Sequence, residues 1–82
     1  MKYNFDLIDL NGPQGNAFVL LNMVSGWLKN EQAPQDMIND FLTEAKESDY
    51  DNLLNVCKFY TNIANDLAYE NGFVDESDCM ID

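Results

Sequence analysis

Hydrophobic positions recur every three to four residues over most of this chain, and that spacing predicts helices. In the first helical stretch Phe18, Leu21, Val24 and Leu28 form one stripe, with Leu20, Met23 and Trp27 beside it. So little of its circumference stays polar that this helix is expected at the centre of the fold. It runs to about Lys29, and residues 30–33 form the connection. A second helix starts at Pro34, a residue suited to a first helical position. Its apolar face is Met37, Ile38, Phe41, Leu42 and Ala45, with Asp36, Asp40, Glu44 and Glu47 near i, i+4 spacing on the other side. Glu47-Ser48-Asp49 ends it. The third helix is the longest, with Ser48 as the expected cap. Asp49 and Asp51 fall in its first turn, where the positive end of the helix dipole favours acids. Tyr50, Leu53, Leu54, Cys57, Tyr60, Ile63, Ala64 and Leu67 make its stripe, and Asn71-Gly72 is a good stop.

The start of the first helix can be read in two ways. Asn11 can cap it, with Gly12-Pro13 opening the first turn and Gln14 reaching back as in a capping box. Alternatively the turn runs through Gly15 and Asn16 is the cap. Proline in the first turn and the Asn11-x-x-Gln14 spacing favour the first reading. Before this break, Tyr3, Phe5 and Leu7 alternate as on one face of a short strand. One strand cannot stand alone. Its partner would be a second copy of the chain, or Gly72-Phe73-Val74. Beyond Gly72, Asp75, Glu76, Asp78 and Asp82 occur with no lysine, as expected of a mobile acidic tail. Together these elements predict a mainly α protein: a compact three-helix bundle, with a short N-terminal extended or β segment. Residues 1–74 form the single domain and residues 75–82 the tail.

The chain has 82 residues, enough for one domain. A domain of this size buries only roughly 60% of its unfolded surface. Its core is therefore marginal, and a homo-oligomer, a homodimer in the simplest case, is the expected source of further burial. The two cysteines, Cys57 and Cys79, lie in different parts of the pattern and are read as reduced, as in a cytoplasmic protein. Tyr3-Asn4-Phe5-Asp6 breaks any secretory apolar run, and residues 17–21, the longest apolar stretch, are too short to cross a membrane.

Charge changes the picture most. Fifteen acids face four lysines, with no arginine and no histidine, for a net charge of −11. Direct binding to a nucleic-acid backbone or an anionic membrane is excluded, because both need clustered cations. Basic protein surfaces are attracted. An acidic surface also serves solubility alone. Disorder does not explain this composition, since 46% of the residues are hydrophobic and fall in helical register.

Catalytic chemistry has few carriers. Without histidine there is no Ser-His or Cys-His pair and no usual zinc set. Without arginine there is no bidentate phosphate clamp. Every acid is expected on a polar helix face, at a cap or in the tail, so none is placed to act as a tuned acid or base. Asp75-Glu76-Ser77-Asp78 is too short for an EF-hand. The chain is therefore expected to be no enzyme, with no metal and no cofactor.

Two binding regions remain. The first is the acidic surface of Asp36, Asp40, Glu44, Asp75, Glu76 and Asp78. Successive i, i+4 acids are roughly 6 Å apart along a helix, against one charge per about 3.4 Å of axis on a DNA strand. A nucleic-acid mimic would thus need the tail or a second copy to supply another row. The second region is the glycine turn with the start of the third helix: Gly12, Gly15, Asn16, Asp49, Tyr50 and Tyr60. A glycine-rich turn entering a helix can hold an anion on backbone N–H groups, although this one lacks the lysine and hydroxyl of a P-loop. The structural alternative is that Gly12 supplies a turn conformation while Gly15 lets a neighbouring element approach closely. The two tyrosines and Trp27 are read first as core residues.

Residues 9–18, Asp-Leu-Asn-Gly-Pro-Gln-Gly-Asn-Ala-Phe, followed by residues 48–54, Ser-Asp-Tyr-Asp-Asn-Leu-Leu, resemble a family of small acidic phage and prophage proteins. That family has a GPxGNAF-like opening and a GDYxxLL-like segment, in this order. The likeness covers residues 6–60. Glu47-Ser48-Asp49 stands where the family has Ser-Gly-Asp, and the stretch after Gly72 is particular to this chain. The resemblance implies a phage accessory protein acting in the host cytoplasm. That family has no settled activity; in its context the acidic surface gives the leading expectation, counter-defence as an inhibitor bound to a basic surface of a host defence or nucleic-acid-handling protein. The alternative, drawn from the residues of the second region, is sequestration of a small nucleotide-like signal at the glycine turn and the Asp49-Tyr50 segment. A structural or regulatory phage protein is the third reading.

Overall fold

The computed structural model describes residues 1–12 and 15–74. It is a three-helix bundle: α1 is Ala17–Asn30, α2 is Gln35–Ala45 and α3 is Tyr50–Glu70. No strand occurs among the described residues. The expected acidic tail, residues 75–82, lies outside them, as do Pro13 and Gln14.

The N-terminal segment forms a single 3-10 turn, Phe5–Leu7, rather than the expected strand. The cause is local. The Asn4 side chain accepts a hydrogen bond from the Asp6 N–H at 3.0 Å and bends the backbone out of the extended path. Tyr3 and Phe5 stay buried, but Leu7 is turned outward. The backbone of Tyr3 still finds the pairing a strand would have needed. Its N–H donates to Asn65 Oδ1 at 2.7 Å and its carbonyl accepts from Asn65 Nδ2 at 2.8 Å. One side-chain amide on α3 thus replaces a strand partner, and both buried backbone groups are satisfied.

Asn16 caps α1, its Oδ1 accepting from the Phe18 N–H at 2.8 Å. This is the second of the two sequence readings. Asn11 instead closes a local turn, its N–H donating to Asp9 Oδ1 at 3.0 Å. Asp49 caps α3, one residue later than expected, with its Oδ1 accepting from the Asn52 N–H at 3.0 Å. Ser48 carries no such role. Pro34 occupies the cap position of α2 rather than its first turn.

Leu20, Val24, Leu28, Phe41 and Cys57 are the largest fully buried side chains, so all three helices contribute to one core. Phe18 does not join it. With 3.6 residues per turn, Phe18 lies roughly 120° around α1 from Val24, and it is 74% exposed. Trp27 is half-buried and stacks on Tyr3, the ring centroids 5.1 Å apart. No buried side-chain nitrogen or oxygen among the described residues lacks a partner.

Hydrogen bonds across the bundle give the directions of the helices. Near the start of α1, the Gly15 carbonyl accepts from the hydroxyl of Tyr50, the first residue of α3. Just past the end of α1, the Glu31 carbonyl accepts from Asn71 Nδ2, at the end of α3. Helices α1 and α3 therefore run parallel, with α2 antiparallel between them in sequence. Both α1 and α3 end in paired reverse hydrogen bonds of the Schellman kind. After α1 these are Gln32 N–H to Lys29 and Ala33 N–H to Leu28; after α3 they are Gly72 N–H to Tyr69 and Phe73 N–H to Ala68. Each needs a residue with positive φ, supplied by Gln32 at 62° and Gly72 at 101°.

Candidate functional site

The up-down-up order brings three helix ends together: the start of α1, the end of α2 and the start of α3. Between them lies an open groove of about 490 Å³. Ala17, Phe18 and Leu21 line it from α1, Ala45 and Lys46 from the end of α2, and Ser48, Asp49, Tyr50 and Leu53 from the start of α3. Leu21, Ala45 and Leu53 are buried, whereas Phe18 and Tyr50 stand exposed at the mouth. Tyr50 is not loose, because its hydroxyl is held on the Gly15 carbonyl at 2.5 Å.

The groove gathers part of the second predicted region. Asp49 and Tyr50 line it, Gly15 is bonded to Tyr50, and Asn16 caps the helix that carries Phe18. Gly15 has the close-approach role expected of it: a Cβ there would sit 2.0 Å from the Leu10 carbonyl oxygen. Gly12 does not supply a positive-φ turn. Its N–H closes a turn on the Asp9 carbonyl at 3.3 Å. Tyr60 lies elsewhere. It is buried between α2 and α3 against Phe41, and its hydroxyl donates to Glu44 Oε2. Burial, reinforced by Glu44, pushes the Tyr60 phenol up to about 12. Phe18 and Lys46 were missed as groove residues. The available signal was a large aromatic two residues after a capping asparagine, in the first turn of α1.

Of the acidic region, Asp36, Asp40 and Glu44 are exposed on α2. Glu44 also has a structural duty, accepting from Tyr60 while its backbone carbonyl accepts from Asn52 Nδ2 at 2.9 Å. The C-terminal end of this stripe therefore sits at the seam with α3, not on the far side of α2. Asp75, Glu76 and Asp78 lie outside the described residues.

One acid at a cap, the C-cap of α1, is buried rather than exposed. Glu31, just past α1, is 5% exposed. Its Oε2 accepts from Lys2 Nζ at 2.8 Å and from the Tyr3 hydroxyl at 2.5 Å, and its Oε1 accepts from Asn71 Nδ2 at 3.1 Å. Lys2, then Tyr3 and Asn71, hold its carboxyl well below the usual range, at about 2. A carboxylate this firmly ionised is poorly suited to proton transfer near neutral pH. It clamps the N-terminal segment to the ends of α1 and α3. A second, smaller hollow of about 180 Å³ lies beside that segment, with Asp6, Lys58 and Asn62 among its lining residues.

Cys57 is fully buried, and burial pushes its thiol up to about 11. Among the described residues no cluster of three His, Cys, Asp or Glu side chains could hold a metal ion. No helix among them is long and apolar enough to cross a membrane. No known family model, no curated protein and no solved structure matches this chain.

Proposed function

We propose that this chain is a non-enzymatic binding protein that docks on a basic surface of another protein. The observation that carries this reading is that every described acid except Glu31 is exposed. The resulting negative field steers the chain toward lysine- and arginine-rich surfaces and repels anions. By the resemblance to small acidic phage proteins, the target is a host defence or nucleic-acid-handling protein in the host cytoplasm. Covering its nucleic-acid site in the manner of a mimic is one way to inhibit it.

A bait experiment tests this. The wild-type chain is compared with one carrying Asp36→Asn, Asp40→Asn, Glu44→Gln, Asp75→Asn, Glu76→Gln and Asp78→Asn. The amide introduced by Glu44→Gln keeps an acceptor for the Tyr60 hydroxyl. Basic proteins are expected on the wild-type bait at about 0.05 M salt and to be lost at about 0.5 M, where screening is short-ranged. The neutralised bait should capture far less. Capture that neither salt nor neutralisation changes would overturn the proposal.

The second reading, sequestration of a small nucleotide-like ligand, has one observation in its favour: Asp49 and Tyr50 line an open groove beside the glycine turn. Against it stands the charge of residues 44–51, four acids and one lysine.

A further inference from the structure

The groove at the start of α1 and α3 is built for an apolar group, and it opens on a chain of net charge −11. Its base is Leu21, Ala45 and Leu53, and Ala17 leaves room above them. Phe18 and Tyr50 flank the mouth. Phe18 is fixed there by the register of α1, because the Asn16 cap and the buried Leu20 and Val24 leave it no route inward. Tyr50 is fixed by its bond to Gly15. An exposed aromatic and a tyrosine held by its hydroxyl, side by side at an apolar hollow, are the features of a binding hot spot. Lys46 and Asp49 line the groove, and the chain around them, residues 46–51, Lys-Glu-Ser-Asp-Tyr-Asp, carries three acids against that one lysine.

Charge selects the occupant. A second copy would bring another net −11 and press the same acidic flank against itself. Residues 75–82 carry four acids and no base. Nucleic acid and anionic lipid are repelled for the same reason. A basic segment is the complementary partner.

We propose that this groove receives one large apolar side chain of a partner protein, presented on a segment whose neighbouring residues are lysine or arginine. This rests on the reading of the chain as a binder of basic protein surfaces and locates its anchor point.

The test uses the full chain, labelled with nitrogen-15, and a synthetic helical peptide of lysine and leucine with one central tryptophan. Amide shifts are expected to concentrate at Ala17, Phe18, Ala45, Tyr50 and Leu53. Phe18→Ser should weaken binding about tenfold or more, as for a central aromatic anchor. Because Phe18 is mostly exposed, its loss should leave the helical circular dichroism unchanged. Replacing the peptide tryptophan with glycine should have a similar effect, and replacing its lysines with glutamate should abolish binding. If the peptide binds the α2 acids and neither Phe18→Ser nor loss of the tryptophan matters, the groove is not the anchor, while basic-surface binding stands. A wild-type dimer converted to monomer by Phe18→Ser, or groove shifts with ATP as the probe, would give the groove another occupant and overturn the proposal. No binding of the basic peptide anywhere would remove both readings.

Discussion

The Tyr50 hydroxyl donates to the carbonyl oxygen of Gly15, thirty-five residues earlier in the chain. This bond joins two segments far apart in the chain, the glycine turn and the start of α3. It sets the spacing of the groove between them. Tyr50→Phe removes the donor and keeps the ring. The expected cost is about 0.5–1.5 kcal/mol, read as a lower urea midpoint with an unchanged slope.

Gly15 and Gly12 should differ sharply in tolerance. An alanine Cβ at Gly15 meets the backbone carbonyl of Leu10 at 2.0 Å, and backbone cannot swing aside. At Gly12 the nearest atom is Asp9 Oδ2 at 3.2 Å, the tip of an exposed side chain that needs to give by only a few tenths of an ångström. Gly15→Ala should destabilise by about 1–3 kcal/mol, as overpacking does. Gly12→Ala should fall within about 0.5 kcal/mol of wild type. Equal melting temperatures for the two variants would contradict the turn geometry.

Glu31 should govern acid stability. Its carboxyl lies at about 2 in the folded chain against an ordinary value of 4.5, so the unfolded chain takes up the proton first as pH falls. The stability it contributes is complete above 4.5 and is lost as pH falls through about 2. Glu31→Gln has no carboxyl to titrate there. It should be less stable than wild type at neutral pH, and its stability should depend less on pH across that window. Urea midpoints measured at several pH values give both slopes, and parallel slopes would falsify the clamp.

Gln32 holds the left-handed position after α1 that Gly72 holds after α3. A side chain in that conformation costs roughly 1–2 kcal/mol, partly offset by the greater freedom of glycine in the unfolded chain. Gln32→Gly is therefore expected to stabilise the protein by about 0.5–1 kcal/mol, raising the melting temperature. Gly72→Ala should lower it.

Cys57 should be inert while the chain is folded. It is fully buried and its thiol is raised to about 11. Only thiolate reacts quickly with a disulfide reagent. In a Cys79→Ser background, Ellman's reagent should modify no thiol in native buffer and one in urea. Rapid native modification would mean that α3 opens locally.

Much of this molecule can be read from residue order alone. The helical period found all three helices, and Asn71-Gly72 marked the end of α3 because a reversing residue after an amphipathic stretch is a local device. Two caps fall later than the favoured reading, at Asn16 rather than Asn11 and at Asp49 rather than Ser48, because several residues before each helix can play the role. The site was half legible. Asp49, Tyr50 and Gly15 belong to recognisable turns, but Phe18, Ala45, Lys46 and Leu53 enter the groove from three separate elements. Asn65 offered one missed clue, a polar residue among the buried positions of α3.

Residue order by itself determined where this chain is helical, how many helices it has and how strongly it repels anions. Helix hydrogen bonds close within four residues and charge is a sum over composition, so neither needs the fold. Tertiary structure alone decided that Glu31 is a buried clamp, that Asn65 pairs with the backbone of Tyr3, and that Phe18 faces outward beside Tyr50. The partners that tie Glu31 and Asn65 to other elements lie 28 to 62 residues away in the chain. Whether a polar group is buried or an aromatic ring exposed depends on what packs against it, and three helix ends meet only when the bundle closes.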